Sequence, residues 1–391
     1  MEQLYEIYRA LLASTPTDFV RYIHKIIDWQ SRLILIMGAR GVGKTTMVLQ
    51  HIKIQGDRNS SLYIDANNSY FAANSLYDTA SAFNKNGGKV LYIDEIHKYE
   101  GWSREVKMMY DYLPDLQIII TGSSMLDLRK GADADLSRRA ILYTMNGMSF
   151  REYLNYTMGF NLPAYPLEGI IAGNVELPKE IAHPLPLFKE FLRNGYYPFL
   201  KMDNYLVRLN NVIDQTLDVD IPKYAQMNAS TIVKLKKLLY IISQSVPFKP
   251  NFTKIGQSIE TDRNTVADYF VYMEKSGLIR QLRIAEKGMK VLEKIDKVYL
   301  ANTNLIYALA DGMPDTGNIR ETVFFSQMTV NNVVASAPAG DFRIGKYTFE
   351  VGGKNKNHKQ IREVSDSYVV KDDIEYGGLK TIPLWMFGFN Y

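Results

Sequence analysis

Gly38-Ala39-Arg40-Gly41-Val42-Gly43-Lys44-Thr45 has the spacing G-x-x-x-x-G-K-[ST], and it follows the apolar run Leu33-Ile34-Leu35-Ile36-Met37. The run reads as a buried strand, and Met47, Val48, His51 and Ile52 after the loop fall on one face of a helix. Glycines in such a corner let backbone N–H groups curl around phosphate oxygens without interference from a Cβ. The helix that follows points its positive end at the same charge. The spacing therefore predicts a nucleoside triphosphate ligand, cradled by Gly38, Ala39, Arg40, Gly41, Val42, Gly43, Lys44, Thr45 and Thr46. Lys44 is expected to reach the β- and γ-phosphates, and Thr45 to offer its hydroxyl to the Mg²⁺ that bridges them.

Working outward, Ser61–Asp65, Lys89–Asp94, Leu116–Thr121 and Ala140–Thr144 read as further buried strands separated by helical stretches. Near-continuous apolar runs of this kind predict a parallel sheet covered on both faces, an α/β P-loop fold. The strand ending Tyr92-Ile93-Asp94-Glu95 delivers two carboxylates at its carboxyl end. Asp94 suits the Mg²⁺ shell, whereas Glu95 is placed to polarise an attacking water as general base or, alternatively, to cap the next helix. An extra strand near Tyr63 lies between the two motifs, which predicts the P-loop class with an additional strand and a catalytic glutamate. Thr121-Gly122-Ser123-Ser124 ends the next strand at the sheet edge, where Ser123 is a candidate sensor of the γ-phosphate or the lytic water, with a simple Gly-Ser turn into a helix capped by Ser124 as the alternative. Arg138 and Arg139 precede the last strand. One of them, Arg139 first, is a candidate arginine finger in cis or on a neighbouring subunit, with a plain surface pair as the alternative.

The 391 residues exceed one ordinary core, so two or three domains are expected. At 46% hydrophobic and 23% charged, the composition is that of a soluble globular protein. No apolar stretch approaches the roughly 20 residues needed to cross a bilayer, and the start lacks the layout of an export signal, so a cytoplasmic address with no membrane partner is expected. The sequence contains no cysteine, which excludes disulfides, thiolate zinc sites and cysteine nucleophiles. A net charge of +4 is mild, so any nucleic-acid contact must come from a local basic surface.

The expected organisation is N-terminal helices over 1–30, a P-loop domain over 31–147, a helical, proline-punctuated lid or connector over 148–228, a winged helix over 229–285 and a nuclease-like α/β domain over 286–391. Two helices are expected in the first segment, one through Leu4, Ile7, Tyr8 and Leu11 and one through Phe19, Tyr22, Ile23, Ile26 and Ile27, broken at Ser14-Thr15-Pro16-Thr17.

Gly38 to Thr45, Leu91 to His97, Thr121 to Ser124, Leu136 to Ala140 and Ser149-Phe150-Arg151-Glu152-Tyr153-Leu154 together resemble the prokaryotic AAA-type ATPases with a carboxy-terminal domain of unknown function. The likeness continues through Tyr196-Tyr197-Pro198, Asp218 to Ile221 and Val298 to Asn302, and so covers most of the chain. It implies an AAA-type fold, ATP and Mg²⁺ as cofactors, a winged helix and a nuclease-like carboxy-terminal domain. In that family a glycine usually precedes the arginine before the last strand. Here Arg139 matches the arginine and Arg138 replaces the glycine.

Residues 230–283 read as a winged helix-turn-helix whose third helix is capped by Thr261-Asp262 and stopped by Gly277. Arg263, Asn264 and Thr265 at its start are positioned to meet DNA, although Asp262, Asp268 and Glu274 interrupt that face and such modules also dock proteins. Further on, Asp341 and Glu350 lie on adjoining strands, as in nucleases that bind Mg²⁺, but Gly352 stands at the expected lysine position. Lys354 and Glu321 are the candidates to complete that set, and a degenerate nuclease fold kept for binding or assembly is favoured. The function expected from all this is Mg²⁺-dependent ATP hydrolysis coupled to a DNA- or partner-binding region. The alternatives are a non-hydrolysing nucleotide switch that signals to a protein partner, and an ATP-gated nuclease. A finger in trans would require oligomerisation.

Overall fold

The computed structural model describes residues 1–56, 58–123, 136, 138–284 and 294–391. Ser124 and Ser137, which belong to two of the sequence motifs, lie outside these residues. The chain divides into two compact units, Met1–Gly147 and Met148–Tyr391.

In the first unit the strands are β1 (Leu33–Met37), β2 (Ser61–Asp65), β3 (Val90–Asp94), β4 (Gln117–Gly122) and β5 (Ile141–Thr144). Among the described residues they form one parallel sheet in the order β2-β3-β4-β1-β5. β1 is buried at every position, and β3 and β4 nearly so, because helices such as Lys44–Gln55 and Leu76–Lys85 cover the sheet. The additional strand of the P-loop class is present, but the strand inserted in space between β1 and β3 is β4 rather than β2, which lies at the outer edge. Likewise, the Thr121–Ser123 segment leaves a central strand, not a lateral one. β5 departs from the expectation of a buried strand: as the opposite edge it leaves Ile141 42% and Leu142 38% exposed.

The segment before β1 also differs from the expectation of two helices. The first exists as Glu2–Ser14, but the second reduces to a 3₁₀ turn, Tyr22–Lys25. Tertiary bonds replace helical ones there. Gln50 Nε2 donates to the Pro16 and Phe19 carbonyls (2.8 Å each), and Lys53 Nζ donates to the Thr15 carbonyl (2.7 Å).

The second unit opens on a helix, Phe150–Met158, whose capping box pairs Ser149 with Glu152. The segment expected to be a lid is part of this unit's core. Phe150 packs against Phe188, Phe191 and Phe389, and Ser149 Oγ and Arg151 Nε both donate to the Tyr391 carbonyl oxygen at 2.7 Å. Helices Ala229–Ser245, Phe252–Ser258 and Arg263–Lys275 then lead, past Gly277 at φ +80°, into β6 (Ile279–Arg283), which pairs antiparallel with β7 (Ile295–Leu300). A second five-stranded sheet closes the unit: β8 (Val334–Ser336), β9 (Phe342–Ile344), β10 (Tyr347–Gly352), β11 (Ser367–Lys371) and β12 (Thr381–Pro383), in the order β12-β11-β10-β9-β8. No helix among the described residues is long and apolar enough to cross a membrane.

Candidate functional site

The loop from Gly38 to Gly43 links the carboxyl end of β1 to the helix that begins at Lys44. Gly41 and Gly43 have φ of +83° and +98°, the left-handed region that side chains with a Cβ avoid. Gly38 is fixed for another reason: a Cβ there would stand 2.3 Å from the Met145 carbonyl oxygen. Lys44 is buried, with Nζ donating to the carbonyls of Gly38 (3.0 Å) and Ala39 (3.1 Å). Thr45 is half-buried and Thr46 exposed. Arg21, a residue that sequence reasoning missed, braces the loop from behind. It is buried, and its guanidinium donates to the Val42 carbonyl and to that of Asn146 (2.7 Å).

β3 ends on Asp94, which is buried and hydrogen-bonded at both oxygens. Oδ2 accepts from Thr45 Oγ1 (2.5 Å) and from Tyr63 on β2 (2.7 Å). Oδ1 accepts from the Glu95 amide (3.0 Å) and from Thr121 Oγ1 on β4. Loop and carboxylate strand therefore meet, which the register of β1 with β4 (Met37 opposite Gly122) and of β4 with β3 (Ile120 opposite Ile93) brings about. Tyr63 carries no motif, and Thr121, although it opens the Thr121–Ser124 run, has no role legible there; only the spatial neighbourhood of β2, β3 and β4 shows that both donate to Asp94. Burial first, then the Asp94 charge, pushes the Tyr63 phenol up, so it remains a donor at neutral pH.

Glu95 follows in a left-handed conformation, φ +49°. Its carboxyl is raised above the usual range, mainly by burial. Asp94 pushes the same way, while Lys44, Arg40 and the Ser123 bond oppose. Ser123 Oγ donates to Glu95 Oε2 at 3.2 Å, so sensor candidate and base candidate stand together. Glu95 does not cap a helix with its side chain, and the short 3₁₀ turn Ile96–Lys98 follows it.

Arg139 is elsewhere. It precedes β5, whose Ile141 lies opposite Ile34 near the amino-terminal end of β1, whereas the loop leaves the carboxyl end. A strand length, about 13 Å at 3.3 Å per residue, intervenes. Its guanidinium is engaged by Asp111, Nε to Oδ1 at 3.0 Å and Nη2 to Oδ2 at 3.1 Å. A finger role within the same chain does not fit this position.

The residues present fit a Mg²⁺–nucleotide. A hydroxyl and a carboxylate, Thr45 and Asp94, already touch, and these hard oxygen donors are what Mg²⁺ takes when most of its shell is water and phosphate. No group of three or more His, Cys, Asp or Glu suited to a metal occurs among the described residues.

In the second sheet, Asp341 and Glu350 are engaged by lysines. Lys297 Nζ on β7 bridges Glu321 Oε2 (3.0 Å) and Asp341 Oδ1 (3.2 Å), and Asp341 Oδ2 accepts from the Val351 amide (2.9 Å). Glu350 pairs with Lys356, while Lys354, the sequence candidate, is exposed. Gly352 makes this possible, because a Cβ there would come within 2.7 Å of Lys356 Cγ. The lysine arrives from four residues downstream by crossing over the glycine. Its charge offsets part of the burial that raises the Glu350 carboxyl.

Residues 30–154 match the family model described as an AAA domain, and residues 186–316 match a domain of unknown function (DUF8612). The loop, the carboxylate strand and the sheet order are those of a P-loop domain, and the match makes residues 30–154 similar to an AAA domain. The uncharacterized protein MJ1637 of Methanocaldococcus jannaschii is 27% identical over 333 residues, which is 76% of this chain and 70% of that protein. Among solved structures, AMPPCP-bound DnaA from Aquifex aeolicus aligns at 15% identity and TM-score 0.30, over 70% of this chain and 87% of that one. C. elegans PCH-2 aligns at 15% identity and TM-score 0.26, over 70% and 66%.

Proposed function

We propose that this protein binds Mg²⁺–ATP in the loop between β1 and the Lys44–Gln55 helix and hydrolyses it, and that the cycle is coupled to DNA or a DNA-associated partner held by the second unit. The observation that carries the first half is the 2.5 Å bond from Thr45 to Asp94, which joins the phosphate corner to the acidic strand. Bound Mg²⁺ supplies positive charge to the phosphate oxygens. The chain's own residues do the rest. Backbone amides and Lys44 bind the phosphates, Asp94 and Thr45 hold the metal shell, and Glu95 takes a proton from water. Burial raises the Glu95 carboxyl above the usual carboxylate range, the direction that strengthens it as a proton acceptor. Lys44→Ala is expected to abolish nucleotide binding, and Glu95→Gln to keep binding and lose turnover by a factor of about 10² or more. Wild-type hydrolysis in both purified variants would refute the assignment.

Residues 229–300 support the second half: three helices and an antiparallel pair in the order of a winged helix. Asp262 caps the third helix, its Oδ1 accepting from the Asn264 and Thr265 amides and its Oδ2 from Thr265 Oγ1. Thr265 is thereby committed to the cap, and the exposed Arg263 and Asn264 are the residues offered to a groove. Glu274, paired with Arg283 at 2.8 Å, serves the packing of β6 rather than that surface. The Asp341–Glu350 region reads as a binding or assembly fold whose carboxylates lysines have neutralised. A role for Arg139 requires a neighbouring subunit, and a cytoplasmic location fits the composition.

A further inference from the structure

Glu95 occupies the left-handed backbone region, φ +49°, which is unfavourable for a residue with a Cβ, so something must hold it there. Its amide donates to Asp94 Oδ1 at 3.0 Å, and its carbonyl accepts from the Lys98 amide at 2.8 Å, which closes the Ile96–Lys98 turn. The turn folds the chain back on itself and brings His97 beside the carboxylate it follows by two residues. His97 Nε2 lies 3.4 Å from Glu95 Oε2, and the His97 side chain is only 1% exposed. Ser123 Oγ reaches the same oxygen at 3.2 Å and stands 3.4 Å from His97 Nε2. Both contacts converge on Oε2, which leaves Oε1 as the oxygen to meet a water.

We propose that His97 is a positioning residue for Glu95, acting with Ser123 to fix the carboxylate so that one oxygen is held and the other is presented to the attacking water. The inference rests on the reading of Glu95 as general base. In the neutral imidazole with its proton on Nε2, that N–H faces Oε2 across 3.4 Å. No proton leaves the pair in this role, so the histidine sets the angle of the base and not its charge. A strained backbone, a buried ring and a strand-end hydroxyl spent on one oxygen cost more than a surface carboxylate requires. They are accounted for if the direction of Oε1 matters.

The test uses the full chain with Mg²⁺–ATP. His97→Ala is expected to lower kcat roughly tenfold, with KM for ATP within about twofold of wild type, because positioning acts on the transition state rather than on binding. His97→Gln, whose amide nitrogen donates over a similar reach, is expected to recover most of that loss. In the Glu95→Gln background, His97→Ala should add nothing in single-turnover rates, since its effect runs through Glu95. The inference is overturned if His97→Ala leaves kcat unchanged, if it costs the same factor without Glu95, or if His97→Gln is as slow as His97→Ala with an unaltered thermal melt. If Glu95→Gln itself turns over like wild type, the reading of the base fails and this inference with it. If Glu95→Gln is inactive and His97→Ala is fast, only this inference fails.

Discussion

At the scale of single residues, the site is built as much from positions that must stay empty as from positions that act. Gly38 is the clearest case, because its missing Cβ admits the Met145 carbonyl at 2.3 Å from where that atom would be. Backbone cannot retreat as a flexible side-chain end can, so Gly38→Ala should displace either the loop or the 145–146 segment that Arg21 ties to it. Overpacking of this kind typically costs about 1–3 kcal/mol. The expected outcome is a lowered thermal midpoint together with weaker binding of a fluorescent ATP analogue, whereas a variant with unchanged affinity would show that the close approach is dispensable. The glycines, Lys44, Thr45 and Asp94 were legible in the sequence because their spacing along the chain is itself the geometry of a strand-to-helix corner. Arg21 and Tyr63 were not, because each reaches the site from a distant stretch and belongs to no local pattern, and the bond from Thr121 to Asp94 was not, because it depends on how β4 pairs with β3. Lys356 escaped for a related reason: the lysine sought beside Glu350 comes from further along the chain, and what marks its path is the absence of a side chain at Gly352.

At the scale of elements, hydrophobic runs located the five strands of the first sheet but could not order them. Every run from β1 to β5 carries at least three apolar residues in sequence, yet pairing decides that β4 is central and β5 an edge. The Lys44–Gln55 helix shows what else periodicity conceals. His51 on its inner face reads as an apolar position, and it is buried, stacked on Trp29 with ring centroids 3.5 Å apart and 3.1 Å from His24 Nε2. Burial first, then the charge of His24, lowers His51 to about 3 from 6.5. The folded form therefore binds fewer protons than the unfolded chain between those two values, so stability is fully present above about pH 6.5 and is lost as the pH falls towards 3. The slope approaches about 1.4 kcal/mol per pH unit for one proton. Denaturant melts of the protein between pH 7 and 5, compared with those of a His51→Phe variant, should show a shallower fall in the variant. Parallel curves would mean that the imidazole does not govern the loss.

At the scale of the whole molecule, two compact units carry two proposed activities, nucleotide hydrolysis in residues 1–147 and DNA or partner contact in residues 148–391. Coupling between them is a free energy, and a free energy of coupling is reciprocal. If ATP changes the affinity of the second unit for duplex DNA by some factor, DNA must change the affinity for ATP by the same factor. The prediction is specific enough to be measured in both directions, with a non-hydrolysed ATP analogue so that turnover does not obscure equilibrium. A labelled duplex titrated with protein, with and without analogue, and the analogue titrated with and without duplex, should yield matching ratios different from one. Arg263→Ala should weaken duplex binding and, if it removes one phosphate contact, reduce the salt slope by about 0.9, while leaving analogue affinity unchanged in the absence of DNA. Ratios of one in both directions, with DNA bound all the same, would leave two independent activities on one chain. A chain that binds no duplex at any salt concentration would move the partner from nucleic acid to protein, because with an overall charge of only +4 nucleic-acid contact has to come from a local basic surface.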